Sequence, residues 1–223
     1  SNATNNVTNY QGSSSNWVWS NTLNYQLNKK KHALDAMIGT EMVYHGDESF
    51  YATRENFELQ DPDYMYLSAG TGAAGNGGLA SENTLLSYFG KVNYVYDSKY
   101  LASATVRYDG SSRFGKNNQF AAFPAFSLGW RINQENFVND NISTISDLKL
   151  RFGWGQTGNQ EIPNKISQML LGSTSGAILN GGSTVVPGIT LTRTPNPNLK
   201  WEKTEQVDLG VDFSVLKGRL SGT

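Results

Sequence analysis

Cysteine is absent from the 223 residues. That excludes disulfide scaffolds, thiolate zinc sites, iron–sulfur clusters and thiol nucleophiles. Charge is scarce: Asp, Glu, Lys and Arg make up 17% of the chain, against about 25% in ordinary soluble domains. The net charge is −1, so no basic surface for nucleic acid and no acidic tail organises the sequence. Long apolar runs are also missing. The longest, Phe120 to Phe126, spans seven residues with Pro124 counted, whereas a membrane helix needs about 20. Only six prolines occur. What the chain does have is 23 Gly, 11 Tyr, 10 Phe and 5 Trp, a composition that leans toward β-structure. The mean hydropathy of −0.46 looks soluble, but an average conceals strict alternation.

Alternation is the dominant pattern. Side chains on a strand point to opposite faces in turn. Trp17, Trp19, Leu23, Tyr25 and Leu27 share one parity, and Asn16, Ser20, Thr22, Asn24 and Gln26 the other. Val207, Leu209, Val211, Phe213 and Val215 oppose Gln206, Asp208, Gly210, Asp212 and Ser214. Comparable segments cover His32 to Tyr44, Tyr88 to Tyr96, Tyr100 to Asp109, Phe126 to Ile132 and Leu148 to Trp154. The reading is all-β: an antiparallel up-and-down meander of about seven full strands plus a truncated eighth after Arg219. No stretch shows a helical period, although Asn133 to Ser146 has room for a helical turn. Residues 1–3, Ser-Asn-Ala, read as the remnant of a cleaved expression tag, and residues 4–223 as a single segment internal to a longer protein.

A soluble sandwich also alternates. Two features favour a membrane barrel. The strands exceed the usual five or six residues of soluble sheets and match the 9–11 or so of tilted membrane strands. Aromatic residues gather at strand ends (Tyr88, Tyr96, Tyr100, Tyr108, Trp130, Trp154), as in the girdles of outer-membrane barrels. Connections also sort by length. Asn28 to Lys31, Asp97 to Lys99 and Leu216 to Gly218 are tight; Gly46 to Ser87, Gly110 to Asn118 and Thr157 to about Lys203 are long. With alternating directions, and with Lys165 to Leu171 kept inside the last loop, tight turns fall at one end and long loops at the other.

Patterns that suggest chemistry fare poorly. Gly70 to Gly75 matches Gly-x-Gly-x-x-Gly, but no buried aliphatic strand precedes it and no helix start follows, so it reads as a flexible loop. Glu202 and Glu205 point to opposite faces of a strand and cannot flank one glycosidic bond. Asp61 and Asp63 are two carboxylates where calcium needs six or more oxygens. His32 and His45 lie too far apart along one strand to share a metal. No catalytic constellation, metal site or cofactor site is expected, and an enzyme is not the reading.

An ordered series of motifs carries a resemblance. Asp109-Gly110-Ser111-Ser112-Arg113-Phe114-Gly115 is followed by Phe123-Pro124, Gly129-Trp130-Arg131 and Ser146 to Arg151. Gly155-Gln156-Thr157-Gly158-Asn159, Pro197 to Glu202 and Gly210-Val211-Asp212-Phe213 complete it. The series closely resembles the barrel region of SusC/RagA-like TonB-dependent outer-membrane transporters. The resemblance implies a partial segment of a 22-stranded barrel, without the plug domain. It further implies import of oligosaccharides or peptides across the outer membrane of a Gram-negative bacterium, with a SusD-like surface lipoprotein as lid. Outer-membrane lipid would bathe one face, and TonB would be met only through an N-terminal region beyond this segment. The alternative reading is a secreted, soluble β-sandwich that binds carbohydrate.

Candidate contact residues follow. Phe50, Tyr51, Phe57, Tyr64 and Tyr66 supply aromatic faces in the first long loop for substrate or partner. Arg107, Arg131 and Arg151 lie on the polar face, either lining a lumen or pairing with Asp35, Asp208 or Asp212. A sheet cut from a barrel has two open edges that invite pairing. The isolated segment is therefore expected either to roll up into a smaller closed sheet or to pair its edges with a neighbouring copy.

Overall fold

The computed structural model describes residues 5–139, 145–164, 166–167, 169–178, 185–216 and 218–223. The tag remnant, Lys165 and Lys217 lie outside them. The strands are β1 (Asn6–Lys29), β2 (His32–Glu55), β3 (Ala74–Tyr96), β4 (Tyr100–Ser111), β5 (Phe120–Arg131), β6 (Ile145–Asn159), β7 (Leu170–Ile178), β8 (Val185–Arg193), β9 (Glu202–Val215) and β10 (Leu220–Gly222). One eight-stranded sheet runs in the order β1-β2-β3-β4-β5-β6-β9-β10, and β7 pairs with β8 in a separate hairpin. This is the meander that alternation predicts. Because β6 pairs directly with β9, from Asn159 opposite Glu202 to Ile145 opposite Val215, the β7–β8 hairpin belongs to the loop between them. A 3₁₀ turn (Ile132–Gln134) and a four-residue helix (Asn136–Asn139) follow β5, where the sequence leaves room for a helical turn.

The sheet does not roll up. β1 and β10 stand at the ends of a linear strand order, which corrects the expectation of closure into a smaller sheet. The physical reason is that ladder hydrogen bonds tie each strand to its neighbour in this order, and among the described residues β1 and β10 share no ladder. The turn after β3 shows how firmly register is set. Asp97 and Ser98 both take left-handed φ, 52° and 57°, and the Lys99 amide donates to the Tyr96 carbonyl at 3.0 Å. That is the type I′ geometry whose twist matches the flanking strands.

The chain divides into two compact units. Unit 1 comprises Ser1–Val18 and Val43–Thr84. Alternation reads 46–87 as one long loop, yet strand continues through Glu55 and resumes at Ala74. The signal fails because β3 starts with glycines rather than apolar residues. Those glycines have a packing cause: a Cβ on Gly77 would lie 2.6 Å from the Tyr51 ring, and one on Gly75 2.9 Å from Thr53. The Gly-x-Gly-x-x-Gly stretch is a loop tied to the end of β2 by hydrogen bonds before it runs into β3. The Thr71 amide donates to the Asn56 carbonyl at 2.9 Å, Gly72 to Glu55 at 2.8 Å, and Arg54 Nε to the Gly70 carbonyl at 2.7 Å.

Unit 2 comprises Trp19–Met42 and Leu85–Thr223. Its β4–β5 ladder pairs Tyr100 with Trp130, Ala102 with Leu128 and Ala104 with Phe126. Its β5–β6 ladder pairs Leu128 with Phe152 and Trp130 with Leu150, and β9 continues with Leu209 opposite Phe152 and Val211 opposite Leu150. Each step joins apolar residues of one parity, so the alternation of single strands becomes a two-faced sheet.

Candidate functional site

The apolar face of unit 2 is uncovered. Leu128 is 54% exposed, Val207 63% and Leu209 79%. A soluble sandwich would bury this face against a second layer, and among the described residues of unit 2 none covers it. Aromatic residues bracket it. Towards the long loops, Tyr108 stacks on Phe120 with ring centroids 5.1 Å apart, and Phe126 meets Trp154 at 5.6 Å. Towards the tight turns, Tyr96 and Tyr100 lie 6.3 Å apart.

A carboxylate organises that turn-side bracket. Glu135 accepts from Tyr100 Oη at 2.7 Å, Trp130 Nε1 at 3.2 Å and Lys99 Nζ at 3.0 Å. These donors, the Tyr100 hydroxyl foremost, hold its pKa below the ordinary glutamate value. Sequence reasoning missed Glu135 because it lies outside any alternating strand. Nearby, Lys31 pairs with Asp97 at 2.9 Å, and that hydrogen bond raises the lysine pKa.

The opposite face carries the charges, several of them paired. Arg151 Nε lies 2.9 Å from an Asp212 oxygen, with Lys149 Nζ 3.7 Å from the same carboxylate. Arg107 instead meets Asp109 at 3.3 Å and sits 5.3 Å over the Phe89 ring. Arg131 donates to the Ser98 carbonyl at 3.5 Å. A shallow groove of about 420 Å³ lies on this face, lined in part by Asn93, Ser103, Ser127, Lys149, Arg151 and Asp208.

At the long-loop end the motifs converge. Phe114, Phe123 and Trp201 are buried together, with Leu85, Ala121, Ile162 and Leu199 packed around them. Trp201 lies 5.1 Å from Phe114 and 5.2 Å, edge-on, from Phe123, and its Nε1 donates to the Gln119 carbonyl at 2.8 Å. Such ring pairs contribute about 0.5–1.5 kcal/mol each beyond their buried area. Arg113 Nη1 donates to the Gln160 carbonyl at 3.2 Å and to Glu161 at 3.1 Å. Gly115 and Gly158 permit close approach: a Cβ on Gly115 would lie 2.6 Å from the Pro197 carbonyl oxygen, one on Gly158 2.1 Å from the Phe123 ring. The cluster is a fastener joining the β4–β5 and β6–β9 connections to strands β3 and β5.

In unit 1, Tyr51 stacks on Tyr10 at 5.9 Å. Phe50, Tyr64 and Tyr66 are exposed at 54%, 60% and 69%. Phe57 is buried, its backbone locked to Asn5 by two hydrogen bonds of 2.8 and 2.9 Å, so it anchors the loop and offers no open ring face. Asp61 caps a 3₁₀ turn by accepting from the Asp63 amide. His32 bonds Tyr94 at 2.7 Å, and His45 bonds Asn16 and Asp47. Glu202 and Glu205 accept from Asn159 and Trp154. Among the described residues no group of three or more potential ligands could hold a metal ion.

Comparison with known proteins agrees with this geometry. A family model described as TonB dependent receptor-like, beta-barrel matches residues 1–223. The TonB-dependent receptor SusC of Bacteroides thetaiotaomicron is 44% identical over 149 residues, 64% of this chain and 14% of that protein. The TonB-dependent receptor P3 of Formosa agariphila is 35% identical over 205 residues, 92% of this chain and 20% of that protein. The chain thus spans at most about a fifth of these relatives. A structure of the RagAB peptide transporter superposes with a TM-score of 0.83 at 27% identity, covering 97% of this chain and 23% of that one. The RagAB peptide importer in its open-open state gives 0.78, also at 27% identity.

Proposed function

The chain belongs to the TonB-dependent receptor-like β-barrel family, and from that premise we propose that it forms wall and outward loops of a nutrient importer in the outer membrane of a Gram-negative bacterium. The observation that carries the reading is the uncovered apolar face of unit 2, bracketed by aromatic residues at both ends and backed by paired charges. Hydrocarbon would cover the first face and water the second.

The role of this segment is passive. β3 to β6 and β9 keep lipid from an aqueous lumen, while Arg151, Lys149 and Asp212 keep the lumen wall polar with little net charge. The fastener holds the long connections at a fixed base. The exposed rings of Phe50, Tyr51, Tyr64 and Tyr66 would meet substrate or a SusD-like lipoprotein, since flat aromatic faces suit both sugar rings and apolar protein surfaces. Oligosaccharides or peptides are the proposed cargo. Unit 1 sets Asp47, Glu48, Glu55, Glu58, Asp61, Asp63 and Glu82 against Arg54 as its only Lys or Arg, a charge that disfavours polyanionic cargo.

The test is fractionation and solubility of the full-length protein. It is expected in the outer-membrane fraction, monodisperse only with detergent or a bilayer. A monomer stable in plain buffer would overturn the reading in favour of the soluble carbohydrate-binding sandwich.

A further inference from the structure

We propose that the apolar face of unit 2 holds a seat for one anionic glycerophospholipid at its turn-side end; this rests on the outer-membrane reading above. The seat begins with the composition of β4. Its outward residues run Tyr100, Ala102, Ala104, Val106, Tyr108, large at the ends and small between. The neighbours are larger: Tyr94 stands opposite Ala102 on β3 and Leu128 opposite it on β5. A trough results. It opens into a groove of about 520 Å³ whose lining includes Tyr94, Tyr100, Ala102, Leu128, Trp130 and Leu209. An apolar groove on a surface facing hydrocarbon fits an acyl chain.

The charge at its end selects the headgroup. His32 Nδ1 and Tyr94 Oη are 2.7 Å apart, and the Asp97 amide donates to the Lys31 carbonyl at 2.7 Å. The β1–β2 turn is thereby fixed beside the groove. Lys31 is neutralised by Asp97, and Lys99 by Glu135. Lys29 and Lys30 are exposed, and neither has a carboxylate partner among the described residues. Two uncompensated ammonium groups in the turn that His32 ties to the groove-lining Tyr94 suit a net-negative phosphodiester headgroup. A zwitterionic lipid would fill the groove without satisfying the lysines.

The experiment uses the full-length protein in nanodiscs of phosphatidylethanolamine with a minor fraction of phosphatidylglycerol, followed by native mass spectrometry of retained lipid. Wild type is expected to retain phosphatidylglycerol at least tenfold above its bulk share. Ala102→Phe fills the trough and should cut retention of both lipids at this seat by about tenfold. Lys29→Gln with Lys30→Asn should abolish the preference for the anionic lipid. Asn tolerates the left-handed backbone at position 30 (φ 55°), and both positions lie in an exposed turn, so this variant folds even where the first does not. Insertion into the nanodisc with retained lipid at the bulk ratio, or a preference unmoved by the lysine substitutions, overturns the seat alone. Failure of wild type to insert at all overturns the outer-membrane reading as well.

Discussion

At the scale of single residues, glycine and glutamate do work that their types do not advertise. Gly158 presses against the ring of buried Phe123. Gly158→Ala must displace that ring, and overpacking of this kind costs about 1–3 kcal/mol. The expected outcome is a lower thermal midpoint of the full-length protein in detergent; an unchanged midpoint contradicts the packing. Glu135 makes a different prediction. Its carboxylate is held below the usual value by Tyr100, Lys99 and Trp130. A depressed carboxyl pKa stabilises the fold above the unfolded pKa, and that contribution is lost as pH falls through the folded one. The turn-side knot should therefore survive acidification to about pH 4.3, the ordinary glutamate value, and open below it. Trp130 fluorescence reports the step, and Glu135→Gln should remove its pH dependence.

Neither residue was legible in advance. Gly158 sits in a motif that the sequence shows plainly, but the ring it accommodates lies 35 positions upstream in chain order, and nothing local links them. Phe57 is the converse case. Its neighbours in the sequence are polar, so it reads as an exposed loop aromatic; Asn5, far off in the chain, closes over it.

At the scale of elements, alternation was enough for β4 to β6 and β9, because each sets large apolar side chains on one face and polar ones on the other. It failed for residues 46–55 of β2 and 74–84 of β3, where glycine and polar side chains occur on both faces. Period two is a record of asymmetric surroundings, and a strand without that asymmetry leaves no mark. The two faces of β5 make a direct comparison. Leu128→Arg places a charge on the apolar face and should cost about 2–4 kcal/mol near a bilayer midplane. Ser127→Arg, one position away on the polar face, should cost little. Folding yields into vesicles measure both, and equal costs would dissolve the distinction between faces.

At the scale of the whole molecule, the tip of unit 1 and the wall of unit 2 should be separable in function. Tyr64 and Tyr66 are exposed, so Tyr64→Ala with Tyr66→Ala should alter stability by no more than about 0.5 kcal/mol. Uptake of cargo by the full-length protein is expected to fall while its outer-membrane abundance holds. Undiminished uptake would assign cargo contact elsewhere.

The fastener has a consequence for how such proteins diversify. Ile162 leads out of it and Leu199 leads back, so the β7–β8 hairpin between them hangs from a clamped stem. The most recognisable words of this sequence are masonry rather than menu. A graft of residues 163–198 from a cousin with a different diet would inherit a ready-made socket, and evolution could re-equip the vestibule by exchanging inserts while leaving the mortar untouched.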